Sequence, residues 1–281
     1  PGTYHYSIAE VLPEGVDAEN PVKDGITYDT AAHEVIVTVV DNHDGTLTAT
    51  AKYDDADSLT ITNTYAAEGE VELEATKAIN DWGKAESFTF ILAAVGEAPM
   101  PEAGGETAKA EPGKLKAVFG TIHYEAEGTY EYTITEQDDK VTGITYDTTP
   151  HKVVVEVVDN KDGTMTATPK YDGKDSLTIT NTYAAEGKAQ LFAKKSLEGK
   201  TLEEGMFSFK LTGPKVAEAG EVKKNDKDGK AAFDEISFTL DELTQEESGK
   251  KFDEFEYTIE EVLPEGVTEK NPQKDGITYD T

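Results

Sequence analysis

Leu177–Tyr183 reads LTITNTY, and its alternation decides the fold. Leu177, Ile179 and Tyr183 fall on one face of a period-two strand, and three threonines fall on the other. Asn181 sits on the apolar face, where an amide has to find partners. The stretch belongs to a longer identity, SLTITNTYAAEG, which occurs at Ser58–Gly69 and again at Ser176–Gly187. Other segments repeat around it. VVDNHDGTLTAT (Val39–Thr50) returns as VVDNKDGTMTAT (Val157–Thr168), EVLPEGV starts at Glu10 and at Glu261, and GITYDT starts at Gly25, Gly143 and Gly276.

The step from Asn63 to Asn181 makes one module about 118 residues long, a domain rather than a small solenoid repeat. The phase of the repeats predicts three parts. Residues 1–68 form the C-terminal part of an Ig-like module, 69–186 a whole module and 187–281 the N-terminal part of a further one, so the chain reads as a window on a longer array. The junctions TYAAEGEVELEA and TYAAEGKAQLFA hold no Pro and one Gly each. Flexible linkers are rich in Gly and Ser, so these junctions favour a stiff rod.

Period-two alternation runs through Val71–Ile79, Phe88–Leu92, Tyr130–Glu136 and Val153–Val157 as well, with Asp44-Gly45 and Asp162-Gly163 as hairpin turns between alternating runs. The pattern predicts an all-β protein, tandem Ig-like β-sandwich modules in a rod. Gly96–Gly113 reads as a long loop, and Leu240–Glu247 as the one short helical candidate.

Two further polar residues interrupt apolar faces in the whole module. Lys77 is in phase with Leu73, Ala75 and Ile79, and Glu136 with Tyr130, Tyr132 and Ile134. The partial modules repeat the pattern. Glu10 follows Tyr6 and Ile8, Asn63 lies among Leu59, Ile61 and Tyr65, Lys195 follows Leu191 and Ala193, and Glu261 follows Tyr257 and Ile259. Lys194 is the neighbouring candidate, but the phase selects Lys195.

A lone strand Lys is usually a solvated edge charge. Three in-phase residues of complementary chemistry point elsewhere. Burial deprotonates Lys, to a pKa of ~5–6 in the extreme, and protonates Glu. A neutral amine is a nucleophile, and a protonated carboxyl can polarise the Asn carbonyl and then shuttle protons as ammonia leaves. Strands that hold amine against amide supply effective molarities of roughly 10⁵–10⁸ M. The product is a Lys–Asn isopeptide bond, formed once. An unreacted buried Lys–Glu ion pair is the plainer alternative.

Composition narrows the function. There is no Cys, which excludes disulfides and thiolate chemistry. The net charge is −31 and every basic residue is Lys, which argues against nucleic acid or an anionic membrane as partner. No apolar run reaches the ~20 residues of a membrane span. The five His are scattered without HxH or HExxH spacing, so no metal is expected. Asn160–Gly163 and Asn225–Gly229 lack the calcium-loop pattern and read as turns. No cofactor is expected.

In its lysine strands (ATKAI, AKKSL), its YxIxE motifs (YTITE, YSIAE, YTIEE), GITYDT and the closing ITNTY, the sequence resembles the streptococcal-type pilin isopeptide-linkage domains. These are Ig-like, CnaB-like repeats of Gram-positive pilins and surface adhesins. The resemblance implies a Lys77–Asn181 crosslink with Glu136 as catalytic acid. It places Glu10 and Asn63 in a second triad and Lys195 and Glu261 in a third. It also implies an extracellular, cell-wall-anchored fibre that is not an enzyme in the turnover sense, with neighbouring modules and, in the parent protein, a sortase as partners. The alternative reading is an adhesin repeat that binds a host glycan or protein, with Gly96–Gly113 as the candidate site.

Overall fold

The computed structural model describes residues 1–247 and 249–280. The chain is all-β; among the described residues the only helical element is a single 3-10 turn, Leu240–Glu242. It divides into two compact units, Pro1–Tyr183 and Ala184–Thr281. Among the described residues no helix is long and apolar enough to cross a membrane.

Within the first unit, residues 69–183 form a sandwich of two sheets. One orders its strands Lys116–Tyr124, Gly69–Ile79, Thr178–Tyr183, Ile144–Thr145. The other orders Met165–Tyr171, His151–Asp159, Gly128–Glu136, Phe88–Val95, Thr107–Ala110. Leu73, Phe88, Phe90, Ile134, Val155 and Ile179 are among the side chains that meet between them, all at most 0 % exposed. The inward face follows the sequence alternation, since a one-residue slip would turn each apolar set to water. Gly69–Ile79 and Thr178–Tyr183, the first and last strands of the module, run parallel with Ile179 opposite Lys77 and Asn181 opposite Ile79.

Residues 1–66 carry a three-stranded sheet ordered Gly2–Ala9, Ala32–Asp41, Leu47–Tyr53. Tyr4, Tyr6 and Ile8 are exposed on it. The strand expected over Leu59–Tyr65 is reduced to Thr64–Tyr65. In the whole module the equivalent strand pairs with the lysine strand, and residues 1–66 include no such strand, so the backbone of Leu59–Asn63 has no ladder to join.

Two further expectations are corrected. Gly96–Gly113 is not loop throughout. Thr107–Ala110 forms the edge strand against Phe88–Ile91, with Ala108 and Ala110 inside. Its inward residues are only methyl groups, a faint apolar signal between Gly- and Pro-rich flanks. Leu240–Glu247 makes no α-helix. One 3-10 turn forms, with Thr239 N–H donating to Glu242 Oε2 at 2.7 Å, and the chain then enters the Gln245–Glu247 strand.

Residues 1–66 meet the sandwich at a glycine-sealed joint. Gly25 (φ 78°) and Gly163 (φ 86°) pack so closely that a Cβ on Gly163 would lie 2.7 Å from Gly25 N. Positive φ and this proximity both demand Gly. Around them Glu68 N–H donates to Gly163 O (3.2 Å), Met165 N–H to Glu68 O (2.7 Å), and the Tyr65 hydroxyl to Asp159 Oδ1 (2.7 Å). Gly163→Val is therefore expected to open the joint. Amide exchange at Glu68 and Met165 should accelerate by about tenfold or more while the Val153 and Val155 amides stay protected. Unchanged exchange at Glu68 and Met165 would contradict the joint.

In the second unit, Glu186–Lys194 pairs with Lys230–Thr239, and Ser208–Thr212 lies between Glu221–Lys224 and Thr258–Val262. Phe207, Phe209, Leu211 and Phe233 form its core. Asn225 is buried as a turn residue. Its Oδ1 accepts Phe207 N–H at 2.7 Å, and its Nδ2 donates to Glu203 O and Asp226 O.

Candidate functional site

Lys77, Glu136 and Asn181 come from three strands and meet inside the sandwich, each at most 2 % exposed. Lys77 and Asn181 sit diagonally across the parallel pair, so their side chains project from one face. Glu136 reaches them from the opposite sheet, at the last position of Gly128–Glu136.

One carboxyl group joins the other two side chains. Lys77 Nζ donates to Glu136 Oε2 at 2.8 Å, and Asn181 Nδ2 donates to Glu136 Oε1 at 2.9 Å. The Asn181 carbonyl oxygen accepts the backbone N–H of Asp147 at 2.9 Å. That N–H can only donate, so it fixes which amide atom is oxygen. Sequence reasoning expected Glu136 to polarise the Asn carbonyl. In the structure that place is taken by Asp147 N–H, and Glu136 faces the amide nitrogen.

Burial sets the electrostatics. Loss of hydration pushes the Lys77 pKa down, against the raising effect of the Glu136 hydrogen bond and charge. Burial likewise pushes Glu136 up, against Lys77 and the Asn181 hydrogen bond. Both shifts favour the pair of neutral groups, amine beside carboxylic acid. Phe88 and Phe90 enclose the amine, with Nζ 4.7 Å and 5.9 Å from their ring centroids. Their faces attract an ammonium, but the water they exclude outweighs that attraction.

The other sequence-selected residues form two half-sites. Asn63 Nδ2 donates to Glu10 Oε1 at 2.8 Å, and Asp29 N–H donates to Asn63 Oδ1 at 2.9 Å. In the second unit Lys195 Nζ donates to Glu261 Oε2 at 2.6 Å and lies 4.5 Å from the Phe207 ring centroid. Glu10 Oε2 and Glu261 Oε1 are buried and have no hydrogen-bond partner among the described residues. In the whole module the equivalent oxygens hold Lys77 and Asn181. Each half-site thus makes the contacts its own strands allow and leaves the third unmade.

Sequence reasoning missed Asp147 and the two phenylalanines. Both had signals. Asp147 is the Asp of GITYDT, repeated as Asp29 and Asp280, and Phe88-Thr-Phe90 returns as Phe207-Ser-Phe209. His151 Nδ1 lies 2.9 Å from Asp172 Oδ2, and its Nε2 3.5 Å from Asp147 Oδ2.

The profile of Spy0128-like isopeptide-containing domains (FctA) matches residues 1–66, 73–184 and 191–281. No curated protein matches the chain. Among solved structures, the major pilin protein (T-13) from Streptococcus pyogenes is 19% identical, over 71% of this chain and 85% of its own, with a TM-score of 0.29. A second major pilin from Streptococcus pyogenes is 18% identical over 70% and 75%, with a TM-score of 0.30. The T3.2 major pilin from that organism is 19% identical over 71% and 83%, at 0.26.

Proposed function

Because this chain belongs to the family of Spy0128-like isopeptide-containing domains (FctA), we propose that it is a structural repeat of a Gram-positive cell-surface fibre. Its whole module, residues 69–186, locks itself with a Lys77–Asn181 isopeptide bond. The observation that carries this reading is the single Glu136 carboxyl set between the Lys77 amine and the Asn181 amide nitrogen in a dry core.

The chemistry follows from those contacts. Glu136 takes the Lys77 proton at Oε2, which leaves a neutral amine. Nζ attacks Asn181 Cγ, and negative charge grows on Oδ1 against Asp147 N–H. As the tetrahedral centre collapses, Nζ passes its second proton to Glu136 Oε2, and Glu136, facing Nδ2 through Oε1, supplies the proton with which ammonia leaves as the Cγ–Nδ2 bond breaks. Atoms balance as amine plus primary amide giving secondary amide plus ammonia. Glu136 leaves the bond-forming step protonated, as it entered it, and nothing turns over. Residues 1–68 and 187–281 belong to flanking modules of the same design, with Glu10 and Asn63 in one triad and Lys195 and Glu261 in another.

The bond ties the first and last strands of the module, which run parallel. Tension along the fibre then passes through a covalent link and not through a hydrogen-bond ladder. A sortase and the cell wall are the partners this reading implies for the longer protein.

Single-molecule pulling tests it. With the bond, the roughly 100-residue loop between Lys77 and Asn181 stays closed and contributes no extension. Release of that loop at forces typical of β-sandwich unfolding would contradict the structural role.

A further inference from the structure

Each Asn of the two Asn-containing sites takes a backbone N–H from an Asp, and each of those Asp carboxylates faces a His. His33 Nε2 lies 3.0 Å from Asp29 Oδ2, and its Nδ1 2.7 Å from Asp54 Oδ2. His151 stands 3.5 Å from Asp147 Oδ2 and 2.9 Å from Asp172 Oδ2. The outer carboxylates are anchored in turn. Asp54 Oδ1 accepts Glu34 N–H at 2.8 Å, and Asp172 Oδ1 accepts Lys152 N–H at 2.9 Å. The inner ones brace the turn that carries the donor. Asp29 Oδ1 accepts Ala31 N–H at 2.9 Å, and Asp147 Oδ1 accepts Thr149 N–H at 3.1 Å. Both His are largely buried, at 17% and 14% side-chain exposure. The same Asp–His–Asp arrangement therefore stands behind the carbonyl donor in two copies, hydrogen-bonded at both ends at His33, and at His151 hydrogen-bonded to Asp172 with Nε2 unbonded 3.5 Å from Asp147 Oδ2.

We propose that His151 is a positioning residue for crosslinking. It ties Asp147 to the neighbouring sheet through Asp172 and so holds the Asp147 N–H on the Asn181 carbonyl. This rests on the crosslinking reading above. The charge on Oδ1 appears only as Nζ attacks, so a donor held in place gains most at the transition state. An imidazole between two carboxylates donates to both only when both of its nitrogens carry protons. In the equivalent clamp, the hydrogen bonds His33 donates to Asp54 and Asp29 raise its pKa, against burial. The charged groups facing His151 are Asp147 and Asp172, with Lys174 beside Asp172.

The test follows crosslinking in the full chain. The chain is recovered unfolded and unreacted, folding is started by dilution, and samples quenched in denaturant are weighed by mass spectrometry for the loss of one ammonia. His151→Ala is expected to slow the loss about tenfold or more without changing the final mass, and His151→Gln, which keeps one N–H donor, recovers part of the rate. Asp147→Asn slows it as well, and the His151→Ala, Asp147→Asn double variant is no slower than the slower single. Unchanged rates, or slowing in His151→Ala that His151→Gln does not relieve, would overturn the positioning role and leave the crosslink standing. A parent that never loses ammonia would remove both.

Discussion

A Lys77→Met chain is expected to melt about 20–30 °C below the parent. Met keeps the volume and apolar stem of Lys77 in a site that is fully closed to solvent, so the loss reports the missing bond more than a cavity. A crosslink closing a loop of roughly 100 residues stabilises by about 4–5 kcal/mol through the unfolded state. Each kcal/mol moves the midpoint by about 4 °C or more in a domain of this size. Glu136 loses its amine partner and stays buried, which adds about 1–3 kcal/mol. Protease resistance at neutral pH should fall in parallel. Scanning calorimetry of the two chains checks the result, and coincident transitions would show that no bond stabilises the parent.

Glu136→Gln is expected to retain the full mass of the chain. Gln can occupy the same space and hydrogen-bond to Asn181, yet it can neither take a proton from Lys77 nor deliver one to Nδ2. General acid–base assistance of this kind is worth about 10²–10⁴ in rate. A proton passing from Lys77 to Glu136 leaves the proton count of the pair unchanged. Within the pair, therefore, the rate is flat through neutral pH. It falls at acid pH, where the amine holds its proton while the raised Glu136 is also protonated, and at alkaline pH, where Glu136 has no proton to give. Mass spectrometry of freshly folded chains gives the answer. Ammonia loss at the parental rate in Glu136→Gln would remove Glu136 from the mechanism.

The site was readable in the sequence to the depth that strand alternation reaches. Lys77, Glu136 and Asn181 each break an apolar face, and a period of two says which way a side chain points. It says nothing of what a backbone N–H meets. Asp147 acts through its main chain, so its part in the site appears only when the GITYDT turn is seen against Asn181. His151 lies one step further out, because its partners Asp147 and Asp172 are joined only by the fold. Thr107–Ala110 was hidden for a different reason, the weak contrast of Ala against Thr and Lys. The strand expected around Asn63 failed because a strand needs its neighbour, and the same sequence forms the Thr178–Tyr183 strand in residues 69–183, where the lysine strand runs beside it.

The repeats also fix how many bonds to expect. Among the described residues, only 69–186 bring all three partners together. Glu10 and Glu261 each keep one oxygen without a hydrogen-bond partner. One chain should therefore lose one ammonia.

Intact mass of the folded chain, taken under denaturing conditions, is the most direct test. The account predicts a mass one ammonia below that of the sequence, with Lys77 and Asn181 recovered in a single branched peptide after digestion. A mass equal to that of the sequence would contradict it and would leave Lys77 and Glu136 as an unreacted ion pair in an Ig-like core.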